Sequence, residues 1–217
     1  MVLLTICELG IVIHYKYMTI IAFISQKGGV GKSTLAQALA SEAQKQKIKI
    51  LLADCDSQQG TSYEWSKIKG KIPCQIFSQV KDIWPLTKNY DLIVIDAPAR
   101  TSQGTLEIAK HANLIIQPTG ASRADLIPTV KEFNALKQAG IPKNKLLFIL
   151  NHIGSPAEEQ IAQEYLQETG YSYLPIALPE KVSFRSIQNE GKAITQISYK
   201  TLRRKVKKLV ESILDYV

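Results

Sequence analysis

The sequence predicts a doubly wound α/β sandwich, a mostly parallel sheet with helices on both faces. Three observations carry that class. Short, almost uninterrupted apolar runs recur along the chain, the mark of strands covered on both sides. Helix-length amphipathic stretches separate them in strict β/α alternation. A glycine-rich segment joins the first well-formed run to the first helix, at the sheet edge where such folds take ligands.

Taken in order, residues 1–17 (MVLLTICELGIVIHYKY) carry Glu8 and His14 inside an apolar stretch. They lack a basic leading segment and a small-residue cleavage site, and they are too short to span a bilayer. They read as an N-terminal extension, packed or frayed, with an added edge strand as the alternative; the domain proper is 18–217. Residues 19–25 (TIIAFIS), 48–53 (IKILLA), 91–96 (DLIVID), 113–117 (NLIIQ) and 145–151 (KLLFILN) are the strands. Between them, 33–47, 61–69, 101–111, 123–139 and 156–169 have helical patterning. Gly140-Ile141-Pro142 stops the fourth of these helices. A weaker strand, 172–177, precedes helical segments at 182–190 and 199–216. No repeat, low-complexity tract or flexible linker interrupts the series, which reads as one domain.

Composition bounds the function. At 217 residues, with 45% hydrophobic and 21% charged side chains, the chain is long enough to build a core. Three scattered cysteines, Cys7, Cys55 and Cys74, fit a reducing compartment and exclude a disulfide framework. Alone they build neither a zinc nor an iron–sulfur site. The net charge of +8 points to an anionic partner, nucleic acid or a membrane surface.

The strongest motif is Lys27-Gly28-Gly29-Val30-Gly31-Lys32-Ser33-Thr34, between the first strand and the first helix. Its glycines permit positive φ and let successive N–H groups face a phosphate, and the following helix adds its dipole. Lys32 is placed to reach β- and γ-phosphates, and the Ser33 hydroxyl to bind Mg²⁺. The strict pattern G-x-x-x-x-G-K-[ST] fails at its first position, which is Gln26; a lysine follows instead. Two acidic strand ends complete the constellation. Asp96 closes DLIVID, the geometry that holds Mg²⁺ through water. Asp54-Cys55-Asp56 closes the second strand.

On these residues the chain resembles the ParA family of partition and positioning ATPases with a deviant Walker A motif, and among them the small ParF-like type. The likeness runs from about Met18 to the end of the chain. The resemblance implies a P-loop NTPase that binds ATP and Mg²⁺ and hydrolyses ATP slowly until a partner protein stimulates it. It implies that Lys27 is the signature lysine reaching across an ATP-sandwich homodimer, that Asp56 positions the attacking water, that Asp54 supports the Mg²⁺ shell and that Asp96 is the Walker B carboxylate. For the adenine it points to Asn151 and to residues 175–179, including Pro179. The chain departs from the family at Ser57, Ala99 and Arg123, where prolines are usual.

Residues 199–217 carry Lys200, Arg203, Arg204, Lys205, Lys207 and Lys208 against Glu211 and Asp215, half of the net charge. On a helical wheel the aliphatic residues share an arc of roughly 140° and the cations take most of the rest. A solvated surface helix explains the stripe but not the density of cations opposite it. By resemblance this is a nonspecific DNA surface, extended by Lys181, Arg185 and Lys192. The resulting expectation is a cytoplasmic, nucleoid-associated ATPase working with a ParB-like activator. A MinD-like membrane helix is the alternative, disfavoured because the apolar arc has no Trp or Phe. An ATP-dependent synthetase of the same superfamily is the other, and nothing in the sequence specifies its substrate pocket.

Overall fold

The computed structural model describes residues 3–7, 10–14, 18–99 and 103–217. In chain order the elements are β1 (Leu3–Cys7), β2 (Gly10–His14), β3 (Thr19–Ser25), α1 (Lys32–Lys45), β4 (Ile50–Asp54), α2 (Thr61–Lys69), β5 (Cys74–Ile76), a 3-10 segment (Val80–Asn89), β6 (Leu92–Ala99), α3 (Gln103–His111), β7 (Leu114–Thr119), α4 (Arg123–Gln138), β8 (Leu146–Leu150), α5 (Pro156–Thr169), β9 (Ser172–Tyr173), α6 (Val182–Asn189) and α7 (Lys200–Leu214). Seven strands form one sheet in the order β5-β4-β6-β3-β7-β8-β9. Every pairing in it is parallel, so the expected mostly parallel sheet is wholly parallel among the described residues.

The doubly wound arrangement follows from strand alternation. On β3, Ile21 and Phe23 face a core layer completed by α1, Trp65 of α2, α6 and α7. Ile20, Ala22 and Ile24 face the opposite layer, completed by α3, α4 and α5. Because both faces are covered, the central strands are buried along their whole length, which is why they read as continuous apolar runs.

Helices α2 and α5 run over the residues that the patterning predicts. The start of α3 expected at residue 101 lies outside the described residues. Residues 3–7 and 10–14 pair antiparallel with one another as a separate two-stranded sheet, not as an added edge strand of the main one. The sequence patterning assigns nothing between 70 and 90, where β5 is a three-residue edge strand, half-buried to exposed. Strand β9 is far shorter than the predicted 172–177. Pro175 has no N–H to donate, yet the chain stays beside β8, with Leu178 N–H donating to Leu150 O at 2.9 Å.

Candidate functional site

Strands β4, β6 and β3 are neighbours, so their C-terminal ends bring the acids and the glycine-rich loop to one sheet edge. The loop leaves β3 with Lys27 N–H donating to the Ser25 hydroxyl at 3.0 Å. Gly31, at φ 99°, caps α1 in the left-handed conformation. A Cβ on Gly31 would run into the side chain of Asn151. Glycine is therefore required there twice over, by torsion and by space. Asn151 in turn donates its Nδ2 to Val30 O at 2.8 Å, tying the end of β8 to the loop.

The two acidic strand ends take different roles. Their strands are in register, with Asp54 opposite Asp96. Asp54 is fully buried and its oxygens accept the N–H groups of Asp56, Ser62 and Tyr63 at 3.0, 2.9 and 3.0 Å. Burial pushes its carboxyl up and those three hydrogen bonds oppose the shift. It holds the turn after β4 against the start of α2 and does not line the cavity into which the loop opens. Asp56 does line it; its Oδ1 accepts Gln59 N–H at 3.1 Å. Asp96 accepts the Ser62 hydroxyl on Oδ2 at 2.7 Å, while its buried Oδ1 has no partner. Burial pushes the Asp96 carboxyl up to about 6, with the Ser62 and Ser33 hydroxyls and Lys32 pulling the other way and the Asp54 charge adding to the rise. Lys32 is buried; desolvation lowers its ammonium, and Asp96, Glu132 and Asp56 offset part of that.

These groups surround a cavity of about 450 Å³, within the range of small-molecule and cofactor sites. Gly28, Gly29, Gly31, Lys32, Ser33, Thr34, Asp56, Asp96 and Asn151 line it, as do Lys181 and Arg185. Val30 and Pro179 stand beside it without lining it. Lys27 turns aside into an ion pair with Asp125. Burial alone would raise the Asp125 carboxyl, but the hydrogen bonds from Lys27 and Ser122 and the Lys27 charge bring it below its usual value. Sequence reasoning missed Gln59, Thr61, His152, Glu180, Phe184, Gln188 and Ile194 in the lining. His152 gives no signal in the sequence; in the fold it adopts positive φ, 59°, just past the end of β8.

The residues fit a nucleotide with Mg²⁺. The loop presents backbone N–H groups and a cation to phosphate oxygens. The Ser33 hydroxyl and the unpartnered Asp96 Oδ1 are hard oxygen donors of the kind a mostly hydrated Mg²⁺ takes. Among the described residues no group of three or more His, Cys, Asp or Glu side chains could hold a metal by itself.

Helix α7 packs Val206, Leu209, Val210, Ile213 and Leu214 into the core, while Lys200, Arg204 and Lys208 stay exposed. Arg203 and Lys207 are half-buried. Lys192 pairs with Glu190 at 2.6 Å and Arg185 with Glu180 at 3.4 Å. Among the described residues no helix is long and apolar enough to cross a membrane.

A phosphate loop opening a helix at the C-terminal edge of a parallel sheet, with a Mg²⁺-type carboxylate on the neighbouring strand, defines the class: a P-loop nucleotide-binding protein. The CobQ/CobB/MinD/ParA nucleotide binding domain family matches residues 21–194, and the chain belongs to that family. It is therefore a P-loop nucleotide-binding protein of the family that includes MinD and ParA. Over 45 residues it is 56% identical to protein BBD21 of Borreliella burgdorferi, a stretch spanning 21% of this chain and 18% of that one. It is 25% identical over 165 residues to the maintenance of carboxysome distribution protein A of Gloeobacter kilaueensis, covering 71% of this chain and 74% of the relative. The solved structure of a putative plasmid partition protein, BB_S35 from Borrelia burgdorferi B31, bound to AMPPNP, superposes with a TM-score of 0.70 at 18% identity, covering 92% of this chain and all of that one.

Proposed function

We propose that this protein is a DNA-partition or positioning ATPase that forms an ATP-sandwich homodimer, binds DNA without sequence specificity, and hydrolyses ATP when a ParB-like partner stimulates it, in the cytoplasm on the nucleoid. The observation that carries this reading is the cavity on which the phosphate loop, Lys32, Ser33, Asp56 and Asp96 converge. Residues Gly28, Gly29, Gly31, Ser33 and Thr34 cradle the phosphates, and Lys32 neutralises their charge. Ser33 and Asp96 hold Mg²⁺, which when bound offsets negative charge on the β- and γ-phosphates. Asp56 orients the attacking water. Asp54, its oxygens already taken by three N–H groups, serves this site by fixing the turn that carries Asp56 rather than as a metal ligand. Asn151, His152, Glu180 and Lys181 face the base and ribose end. Lys27 leaves Asp125 to reach the partner's nucleotide.

The docking of α7 favours DNA over a membrane. Its apolar stripe is already used in the core, so insertion into lipid would uncover the sheet, whereas Lys200, Arg204 and Lys208 are free for phosphates. Lys192, Lys181 and Arg185 extend that surface, the last two reaching the nucleotide cavity. DNA-cellulose retention and flotation with anionic liposomes, each with and without ATP, test the choice. ATP-dependent DNA retention is expected; ATP-dependent flotation without DNA retention would overturn the proposal.

A further inference from the structure

Glu132 lies in the middle of α4, flanked in the core by Phe133 and Leu136, and only 2% of its surface is exposed. A carboxylate in that position is costly unless it is paired and hydrogen-bonded. Its Oε2 accepts the N–H of Gln26 at 3.1 Å and also the Nε2 of Gln117. Its Oε1 and the Oε1 of Gln117 are buried without partners. The Lys32 ammonium makes no direct ion pair with it but feels its charge together with those of Asp96 and Asp56. Asp96 and Asp56 line the nucleotide cavity; Glu132 does not. Gln26 is also where the strict phosphate-loop pattern has glycine, so Glu132 grips the backbone at the point where this loop departs from that pattern.

We propose that Glu132 is a positioning residue for the phosphate loop. It anchors the first loop N–H and acts as the resting counter-charge of Lys32, competing with incoming phosphates for that ammonium. The inference rests on the nucleotide reading of the cavity. Lys32 has one charge to share; a carboxylate behind the loop and a polyphosphate in front of it both draw on it. Neutralising the carboxylate without changing its shape therefore strengthens phosphate binding. A purely structural Glu132 would change thermal stability and leave affinity alone.

The test is titration of the wild type, Glu132→Gln and Glu132→Asp with ATP and ADP, read by a fluorescent nucleotide analogue, with melting temperatures measured alongside. Glu132→Gln retains an acceptor for Gln26 and is expected to bind both nucleotides about five- to tenfold more tightly, the effect of removing one partly screened like charge. Glu132→Asp keeps the charge but withdraws the carboxylate from the Gln26 N–H, and is expected to bind no more tightly than wild type. Burial raises the Glu132 carboxyl above its ordinary range, so the advantage of Glu132→Gln is expected to shrink as acid pH neutralises the wild-type side chain. The other charges around Lys32, Asp96 and Asp56, and the Lys27–Asp125 pair at the start of α4, are common to all three proteins and cancel in the comparison. Unchanged or weakened binding by Glu132→Gln overturns the inference, and so does a Glu132→Asp protein that tightens as much as Glu132→Gln. Those outcomes leave the nucleotide site standing. A wild type that binds neither nucleotide sinks the site reading and this inference together.

Discussion

Asp96 carries opposing demands: it is almost completely buried, one oxygen is held by Ser62, and the other has no hydrogen-bond partner. Its carboxyl is raised from 3.8 to about 6. Between those values the folded protein holds a proton that the unfolded chain releases, so this residue's contribution to stability falls as pH rises through the window. At about pH 7 the ionised group is a net burden, of the order of a few kcal/mol at most. Asp96→Asn is therefore expected to unfold at higher urea than wild type near pH ~7, with the gap closing toward pH ~4.5, while its ATP turnover is lost. Equal midpoints at both pH values would contradict the account. Lys32→Ala is expected to abolish detectable nucleotide binding by calorimetry, because the cavity then keeps Asp56 and Asp96 without the cation that offsets them. The loop and strand-end residues that meet at the cavity were legible, because a glycine-rich loop and strand-end acids announce their chemistry locally. Asp54 and Glu132 were not. Whether a carboxylate faces a ligand or caps a backbone depends on partners such as Ser62, Tyr63 and Gln26, whose proximity only the folded sheet creates.

Helix α7 shows the same division at the scale of an element. Five aliphatic side chains on one face are buried, each contributing roughly 1.5–3 kcal/mol, and the opposite face keeps Lys200, Arg204 and Lys208 in solvent. Leu209→Ala is expected to cost about 2–5 kcal/mol, the usual range for a fully buried leucine, read by denaturant unfolding. Replacing Lys200, Arg204 and Lys208 together with Ala is expected to leave stability within about 1 kcal/mol. It should nevertheless weaken ATP-dependent DNA retention and flatten its salt dependence by about 0.9 log unit for each phosphate that is no longer neutralised. Amphipathic period made α7 readable, and strict apolar runs did the same for β3, β6 and β7. The edges of the sheet hid for the opposite reason. Cys74–Ile76 is half-buried to exposed and only three residues long, so no apolar run forms, and Pro175 cuts the ladder of β9 while leaving its apolar neighbours in place.

At the scale of the whole molecule, the net charge of +8 resolves into cations with distinct settings: Lys32 inside the cavity, a basic band on α7, and Lys27 at the loop. Lys27 is the one that the proposed dimer requires to change partners. Here it pairs with Asp125, about half-exposed, and an exposed pair of this kind is worth no more than about 1 kcal/mol. That makes the pairing easy to exchange for a nearby triphosphate, where one lysine offsets several negative charges. In the proposed sandwich dimer, two triphosphates brought face to face would repel unless each partner supplied a cation. Asp56→Ala leaves the loop, Lys32 and Lys27 in place while removing the group proposed to orient water, so it is expected to hold ATP and accumulate as a dimer. Lys27→Ala is expected to bind ATP within about threefold of wild-type affinity and to stay monomeric, since Lys27 does not line its own cavity. Light scattering with ATP distinguishes the two. A monomeric Asp56→Ala, or a Lys27→Ala protein that dimerises as readily as Asp56→Ala, would remove the sandwich dimer from the proposed function while leaving nucleotide binding intact.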